Sequence, residues 1–414
     1  MTNFRIEAAL RETNPWWKGT FAPDFKNRDI YNTLLRFLPQ RQIIAITGLR
    51  RVGKTTLLHM IIHTKLAEGT DPSRILYFSF DDFREIVIRD VITAYASIMN
   101  IDIHNGKFLM LFDEIQKVNG WEEQIKRLYD QYPYVKFLVS GSESLFIRKK
   151  TRESLAGRFF EFFISPLRFT EFLQFKEMTI HNPKLQIEEL QKAFKEYLFC
   201  NGFPELINAD RIMIEKYLKE NIIEKILYRD LPQIVSIRDP AILEQLLTII
   251  LQDPGQIIDC NELAGELGIA RQTVALYLEY LEKSFLIKKV YNFSRNARKT
   301  QRKLKKYYSA IIFPSLIEQN FGKALETAMV LQLQAEFFWR DTYKREVDII
   351  VTSPVIIPIE VKSGNKFDDK NVLYFMKKFN CSQGYLLTDQ YFSDNEQENK
   401  NIKLVPGFLY LLEH

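Results

Sequence analysis

The sequence from Gly48 to Thr55 is GLRRVGKT, which fits the pattern GxxxxGK[ST] at every fixed position. It follows an apolar run, Ile43 to Thr47, and precedes an apolar helical pattern that begins near Thr55. A glycine-rich turn between a strand and a helix directs backbone N–H groups to one place, and the helix N-terminus adds partial positive charge. The stretch therefore predicts a loop that binds the phosphates of a nucleotide.

The side chains of this loop have separate predicted roles. Lys54 would neutralise β- and γ-phosphate oxygens, and Thr55 would offer its hydroxyl to Mg²⁺. ATP and Mg²⁺ are therefore the predicted cofactors. The predicted ATP-binding residues are Gly48, Arg50, Arg51, Val52, Gly53, Lys54, Thr55 and Thr56. The alternative is a chance match at a glycine-rich turn, and the apolar strand and helix on either side argue against it.

A second motif lies downstream, where the apolar run Phe108 to Phe112 ends in Asp113 and Glu114. Asp113 would hold Mg²⁺ through water, and Glu114 would act as the general base on the attacking water. An Asp-Glu pair after a strand is also a common start of a loop, so the pair is informative because the phosphate-binding loop precedes it. Together the two motifs predict hydrolysis of the nucleotide.

Two further segments could complete this site. The run Phe137 to Val139 is followed by Ser140 and Ser142, which could sense the γ-phosphate or form a plain turn. Arg158 precedes the next apolar run and could stabilise the γ-phosphate of its own site or of a neighbour. Arg152 is the second choice for that role, and the alternative for Arg158 is a surface ion pair.

Short apolar runs alternate with helical patterns from about residue 42 to residue 165. Continuous apolar runs are typical of strands buried on both faces of a parallel sheet, so we expect an α/β fold with right-handed crossovers. The later sequence changes character. We predict a P-loop ATPase domain with an N-terminal extension (1–165), a helical lid or linker (166–250), a winged helix-turn-helix (251–308) and an α/β nuclease-like domain (309–414).

The chain resembles the prokaryotic AAA-type P-loop ATPases often called the archaeal ATPase family. The resemblance is carried by ITGLRRVGKTTLL, LFDEIQ, SGSESLF and ESLAGRFFEFFISPLRFTEFL. It covers essentially the whole chain and is most specific in the P-loop half. It implies an AAA-like sheet with the P-loop strand between other core strands, a helical region and a C-terminal nuclease-like domain, but no cellular role.

A helix-turn-helix pattern lies in the second half of the chain. The residues from Asn261 to Leu267 predict one helix, Gly268 begins the turn, and Arg271 to Lys283 predict a second helix. In DNA-binding proteins of this geometry the second helix enters the major groove with its N-terminal side chains at base edges. The side chains in that place here are Arg271, Gln272 and Thr273. A wing strand, Leu286 to Tyr291, is predicted next.

The net charge of +5 is local. Nine Lys or Arg and no acid lie between Lys288 and Lys306, whereas the remaining chain has 48 basic and 52 acidic residues. Such a segment favours an anionic partner, here DNA. The predicted contacts are Lys288, Lys289, Arg295, Arg298, Lys299, Arg302 and Lys303, and the run continues to Lys305 and Lys306. The alternatives are a solvated face or a winged helix that binds protein.

The C-terminal region carries a third pattern. Asp348 lies in the apolar run Arg345 to Val351, and Glu360 and Lys362 form an ExK pattern in the next run. Residues i and i+2 of a strand share a face, so this arrangement matches the core of PD-(D/E)xK (restriction-endonuclease-like) nucleases. With Glu326 as a further carboxylate, the acids could hold Mg²⁺ while Lys362 positions water. The alternatives are a vestigial domain or a Glu360–Lys362 surface ion pair.

The sequence disfavours membrane-spanning, secreted, disulfide-linked and zinc-binding proteins. No apolar run is long enough for a membrane span, and the N-terminus lacks the apolar stretch of a signal peptide. Three widely spaced cysteines predict neither disulfides nor a zinc site, so we expect a cytoplasmic protein without a membrane partner. The expected function is ATP hydrolysis coupled to conformational change with DNA. A regulatory switch acting on a protein partner and an ATP-gated nuclease are the alternatives, and a homo-oligomer is possible.

Overall fold

The structure is a computed structural model that describes residues 2–19, 21–83, 85–141, 155–235, 237–302, 304–364, 368–390 and 401–413. Ser142, Arg152 and Lys303, which the sequence singled out, lie outside the described residues. In the described part of the chain, no helix is both long enough and apolar enough to cross a bilayer.

The chain forms two compact units. Unit 1 is Met1–Ser165 with Gln233–Ser236, and unit 2 is Pro166–Pro232 with Ile237–His414. The four-domain division expected from the sequence stays a prediction.

Unit 1 contains a five-stranded sheet. Its strands are β1 (Ile43–Thr47), β2 (Ile75–Ser79), β3 (Phe108–Asp113), β4 (Val135–Gly141) and β5 (Phe159–Phe163). Its helices are α1 (Thr2–Thr13), α2 (Asp29–Phe37), α3 (Lys54–Ala67), α4 (Ile88–Met99) and α5 (Trp121–Gln131). Short 3₁₀ turns occur at Pro15–Lys18, Pro72–Arg74 and Ile115–Lys117.

The strand order in this sheet is β2-β3-β4-β1-β5, and every neighbouring pair is parallel. The predicted parallel α/β fold, with the P-loop strand β1 between other core strands, is confirmed. Strands β1 to β4 are buried along nearly their whole length, which explains their continuous apolar sequences. Parallel register brings their carboxyl ends together, since Ile46 is opposite Ser140 and Phe112 is opposite Val139.

Side chains from the N-terminal segment cover the edge strand β2. The side-chain amide of Asn14 donates to the Tyr77 carbonyl (2.9 Å) and accepts from the Tyr77 N–H (2.8 Å). The indole N–H groups of Trp16 and Trp17 both donate to the Ile75 carbonyl, at 3.2 and 2.9 Å. The Tyr77 N–H and carbonyl and the Ile75 carbonyl, which this edge strand would offer to another strand, are therefore already satisfied.

Unit 2 contains an eight-stranded mixed sheet. The helices after Pro166 are α6 (Phe169–Phe175), α7 (Ile187–Cys200), α8 (Arg211–Lys216), α9 (Leu231–Ile234), α10 (Pro240–Gln252), α11 (Cys260–Leu267), α12 (Arg271–Lys283), α13 (Ala297–Arg302), α14 (Pro314–Gln319), α15 (Phe321–Gln332), α16 (Lys370–Phe379) and α17 (Gly407–Glu413). Two π-helical segments are Tyr217–Ile223 and Lys225–Asp230, and a 3₁₀ turn is Pro204–Leu206.

The strands of unit 2 are β6 (Gln256–Ile258), β7 (Ile287–Asn292), β8 (Lys305–Ser309), β9 (Phe337–Arg340), β10 (Glu346–Val351), β11 (Ile357–Lys362), β12 (Gly384–Thr388) and β13 (Ile402–Pro406). Their order is β13-β12-β11-β10-β9-β7-β8-β6. The strands near the helix-turn-helix thus share a sheet with the C-terminal strands. The junction is short: Tyr291 and Asn292 of β7 lie opposite Phe337 and Phe338 of β9.

Candidate functional site

The loop that connects β1 to α3 is shaped by two glycines with positive φ, Gly48 (153°) and Gly53 (97°). A Cβ atom on Gly48 would lie 2.3 Å from the Ile164 carbonyl oxygen, so only glycine fits there without displacement of the main chain. The far side of the loop is held by Arg28, whose guanidinium donates to the Val52 carbonyl at 2.7 Å. The loop is therefore fixed at both ends.

Lys54 and Thr55 form the first turn of α3. Lys54 is only 5% exposed, and its ammonium donates to the carbonyls of Gly48 (3.1 Å) and Leu49 (2.7 Å). The ammonium thus lies inside the loop, where phosphate oxygens would be suitable partners. Thr55 is exposed, and its hydroxyl donates to the Asp113 carboxylate at 2.5 Å.

Asp113, at the end of β3, is the centre of a polar cluster. Its buried carboxylate accepts hydrogen bonds from the hydroxyls of Thr55, Tyr77 (3.0 Å) and Ser140, and from the Glu114 N–H at 3.1 Å. These donors come from α3, β2, β4 and the turn after β3. A hydroxyl and a carboxylate that face one another are hard oxygen ligands of the kind Mg²⁺ prefers, so the residues present fit that ion.

Tyr77 belongs to this cluster although the sequence analysis did not identify it. Burial raises the pKa of its hydroxyl, and the charge of Asp113 raises it further, so the tyrosine remains a hydrogen-bond donor. The His59 ring packs against the Tyr77 ring with centroids 4.8 Å apart. The available signal was a phenol within the apolar run ILYFS, because a buried tyrosine hydroxyl usually has a partner.

Glu114 follows directly and is half-buried. Its backbone is in the left-handed region (φ 53°), which is uncommon for a residue other than glycine and is often found at functional sites. The Gln116 side-chain amide donates to a Glu114 carboxylate oxygen at 2.5 Å. The carboxylate that the sequence proposes as the base is thus held beside Asp113 by a neighbouring amide.

Arg158 lies beside the amino end of β1, at the opposite end of the strand from the phosphate-binding loop. Its carbonyl accepts from the Ile43 N–H at 2.8 Å, at the start of β1, whereas the phosphate-binding loop follows the end of β1. A five-residue strand spans roughly 15 Å. The guanidinium pairs with both carboxylate oxygens of Asp130, at 3.2 and 3.3 Å. This arrangement matches the ion-pair alternative, and action on a neighbouring site stays a prediction.

The helix-turn-helix pattern corresponds to α11 and α12. Gly268 ends α11 in the left-handed conformation (φ 65°), and α12 begins at Arg271, where the sequence predicts it. Val274, Leu278 and Leu281 of α12 are buried. Arg271 and Gln272 are exposed and Thr273 is half-buried, so the predicted base-contacting residues lie at the accessible start of this helix.

The basic segment does not form one continuous face. Lys288 and Lys289 lie on β7, Arg298, Lys299 and Arg302 lie on α13, and β8 begins at Lys305. Arg298 and Lys299 are exposed.

Two predicted contacts in this segment already have protein partners, since Lys289 pairs with Glu282 and Arg295 donates to the Phe379 carbonyl at 2.7 Å. A groove of about 520 Å³ is lined by Lys288, Lys289, Arg295 and the rings of Tyr291 and Phe337 among others. Burial lowers the pKa of Lys288 in this groove.

The C-terminal pattern lies on two adjacent antiparallel strands, β10 and β11. The Lys362 ammonium donates to one Glu360 carboxylate oxygen at 2.7 Å, and the other Glu360 oxygen is buried with no hydrogen-bond partner among the described residues. Asp348 accepts from the Val361 N–H at 2.9 Å. Burial and the charge of Asp348 raise the pKa of Glu360 to about 8, although Lys362 opposes this. The three predicted residues are thus neighbours.

Lys306 also enters this region, contrary to the expectation that it belongs to a surface run. Its side chain is 5% exposed, and the ammonium lies 2.6 Å from Glu346, 3.1 Å from Glu326 and 3.6 Å from Asp348. We call these four residues the Lys306 cluster. Burial alone would lower the pKa of Lys306, but the acidic groups around it, Tyr308 included, outweigh burial and hold that pKa above its usual value.

The family comparisons agree with the geometry of unit 1. Residues 40–173 match a family model described as an AAA domain. Two further models, both described as domains of unknown function (DUF8612 and DUF4143), match residues 191–310 and 316–407. The parallel sheet, the phosphate-binding loop and this match support an AAA-type P-loop fold for residues 40–173. The resemblance seen in the sequence is supported as far as an AAA-type P-loop domain, while the narrower family and the winged-helix and nuclease-like assignments stay predictions.

Similar proteins span most of the chain. An uncharacterized protein of Methanocaldococcus jannaschii is 28% identical, and the match covers 90% of this chain and 85% of that protein. An uncharacterized protein of Haemophilus influenzae is 25% identical and covers 91% of this chain and 96% of its own length. The crystal structure of Cdc6p from Pyrobaculum aerophilum is similar with a TM-score of 0.33 and 12% identity, over 74% of this chain and 96% of that one.

Proposed function

We propose that the protein binds ATP with Mg²⁺ at the loop of residues 48–55 and hydrolyses it. The observation that carries the proposal is the contact of 2.5 Å between the Thr55 hydroxyl and the Asp113 carboxylate, next to a loop that encloses the Lys54 ammonium. A hydroxyl, a carboxylate and a lysine gathered at a helix N-terminus are the groups that phosphoryl transfer requires.

Each residue has a proposed task. Lys54 exchanges its carbonyl partners for phosphate oxygens, and Thr55 and Asp113 hold Mg²⁺, which supplies positive charge opposite the phosphates. Glu114 accepts a proton from the attacking water, while the amide of Gln116 orients its carboxylate. The hydroxyls of Tyr77 and Ser140 keep the Asp113 carboxylate oriented, because each donates a hydrogen bond to it.

Turnover and nucleotide affinity test these tasks separately. Glu114→Gln should keep ATP affinity and lose roughly 10²- to 10⁴-fold in turnover, whereas Lys54→Ala should weaken binding itself. Glu12→Gln, at an exposed position of α1, is the matched control and should change neither quantity. Full turnover by Glu114→Gln would refute the base assignment, and unchanged ATP affinity of Lys54→Ala would refute the site.

We further propose that the protein acts with DNA through a winged helix-turn-helix in unit 2. The proposal is supported by the exposed Arg271 and Gln272 at the start of α12 and by the exposed Arg298 and Lys299 of α13. Contacts from Arg and Lys to phosphates would dominate, so affinity should fall steeply as salt rises. Coupling to ATP requires that the nucleotide bind one conformation of the protein more tightly than another.

A DNA titration distinguishes this proposal from a switch that acts on a protein partner. The double substitution Arg298→Ala/Lys299→Ala should weaken duplex binding and reduce the salt slope by about 1 for each phosphate contact removed. Lys370→Ala removes an exposed lysine of α16 and should leave binding unchanged. An ATPase rate that no nucleic acid changes, together with no duplex binding at low salt, would favour the protein-partner alternative.

A further inference from the structure

The Lys306 cluster joins side chains from three separate elements. Lys306 lies on β8, Glu326 on α15, and Glu346 and Asp348 on β10. A buried lysine is unusual, because an ammonium loses its hydration when it leaves water. Nearby negative charge is needed to compensate for that loss. Here three carboxylates lie within 4 Å of one ammonium that is almost completely buried.

The oxygens that a metal would use are largely engaged by N–H and O–H donors. The Tyr308 hydroxyl donates to the same Glu326 oxygen that faces Lys306, at 2.6 Å. One Asp348 oxygen faces Lys306 and the other accepts the Val361 N–H. Glu346 pairs with Lys306 through one oxygen and with Arg340 through the other, the latter at 3.2 Å.

The surrounding main chain also leaves little room. A Cβ atom on Gly255 would lie 2.8 Å from the Tyr308 ring and 3.3 Å from the Glu326 carboxylate, so the backbone at Gly255 closes against that acid. Mg²⁺ in proteins keeps several waters and is held by one or two carboxylates. Among the described residues Glu360 offers one oxygen without a partner, whereas the two Asp348 oxygens face Lys306 and the Val361 N–H. Among the described residues, no three His, Cys, Asp or Glu side chains form a group that could hold a metal.

The residues as arranged therefore do not fit the Mg²⁺ that a PD-(D/E)xK pattern implies. We propose that Lys306 is the resident cation of this cluster: its ammonium takes the place that a divalent ion would need between Glu326 and Asp348. The wild-type protein then loads no metal there and does not cleave phosphodiesters through these residues. Neutralising Lys306 should convert the cluster into a divalent-metal site, because its carboxylates would have lost their cation.

Manganese titration of the full chain without nucleotide tests the proposal. Lys306→Met keeps the length of the side chain and removes its charge. We expect this variant to gain one equivalent of Mn²⁺ binding, roughly tenfold tighter or more than any binding by the wild type at this place. Mn²⁺ should also raise the melting temperature of Lys306→Met more than that of the wild type. The matched control is Lys306→Met/Asp348→Asn, which should lose the gained equivalent while its ATP site is unchanged.

A second measurement does not depend on the folding of the Lys306 variants. Asp348→Asn in the otherwise wild-type chain should leave Mn²⁺ uptake unchanged, since the proposal places no metal at Asp348. Loss of one bound Mn²⁺ in this variant would overturn the proposal, because the wild type would then use the carboxylates for metal. A folded Lys306→Met protein that gains no Mn²⁺ would overturn it as well.

Discussion

Replacing Gly48 with alanine tests how the phosphate-binding loop is built. The new Cβ would lie 2.3 Å from the Ile164 carbonyl oxygen, whereas 3.4 Å is the lower end of ordinary contact. The main chain at residue 48 or at Ile164 must therefore move by about 1 Å. Ile164 donates to the Thr47 carbonyl at 2.7 Å, and this bond would be strained by the movement. Overpacking reduces the free energy of unfolding by about 1–3 kcal/mol, and a non-glycine residue at positive φ reduces it by about 1–3 kcal/mol. A weakened hydrogen bond reduces it by about 1 kcal/mol.

Gly69→Ala is the matched control for this substitution. Gly69 also has positive φ (86°), but a Cβ atom there would meet nothing within 4 Å. The control therefore isolates the backbone cost, about 1–3 kcal/mol. We expect Gly48→Ala to lower the free energy of unfolding of unit 1 by roughly 2–4 kcal/mol more than the control does, and to weaken ATP binding because the loop is displaced.

The assay is urea unfolding followed by tryptophan fluorescence. Trp16, Trp17 and Trp121 belong to unit 1 and Trp339 belongs to unit 2, so the signal reports mainly on unit 1. Two units need not unfold together, and the transition of unit 1 should be fitted separately. If Gly48→Ala and Gly69→Ala differ by less than about 1 kcal/mol, the close approach to Ile164 does not restrict this position.

Three other predictions concern unit 1. Asn14→Ala leaves the main-chain N–H and carbonyl of Tyr77 without partners and should lower stability by about 2–4 kcal/mol in thermal or urea unfolding; a change below about 0.5 kcal/mol would contradict the role given to the amide. Arg158→Ala breaks a half-exposed pair with Asp130 and should change stability by about 0–1 kcal/mol. Its ATP affinity should equal that of the wild type, and a loss of affinity in dilute protein would contradict the position beside the amino end of β1. Burial lowers the pKa of His59 below its unfolded value of 6.5, so the unfolded chain takes up the proton first as pH falls. The free energy of unfolding is therefore highest above pH 6.5 and decreases as pH falls from 6.5 to the pKa of His59 in the folded protein. The loss is at most about 1.4 kcal/mol per pH unit, and His59→Gln should lack it when unfolding is compared between pH 7.5 and 5; equal slopes in both proteins would show that His59 contributes nothing.

Local patterns in the sequence predicted most of the P-loop half. Strands β1 to β4 were identifiable because continuous apolar runs between turns reflect burial on both faces, whereas β5 is only partly buried. The second helix of the helix-turn-helix was also identifiable, since its buried positions recur at helical spacing. In each case the information lies within a few consecutive residues.

Most of the contacts that the sequence did not predict join residues far apart in the chain. Asn14 and Tyr77 are 63 positions apart, and nothing local indicates that the amide reaches the strand. Lys306 ends a basic segment of the sequence, and its neighbours in the chain do not indicate that its side chain is buried. Successive residues of a strand point to opposite faces, so a basic run that enters β8 cannot present all its side chains on one side.

The covering of β2 by residues 14–17 bears on how the protein can be shortened. A version that starts after Trp17 would lose the amide and both indoles, leaving the outer rim of that strand with bare N–H and carbonyl groups. An edge strand with exposed main-chain groups pairs with other extended peptides, including β2 of a second copy. Removing the N-terminal segment to obtain a smaller ATPase fragment would then yield a fragment that aggregates through β2. Its precipitation would wrongly suggest that the fragment cannot fold.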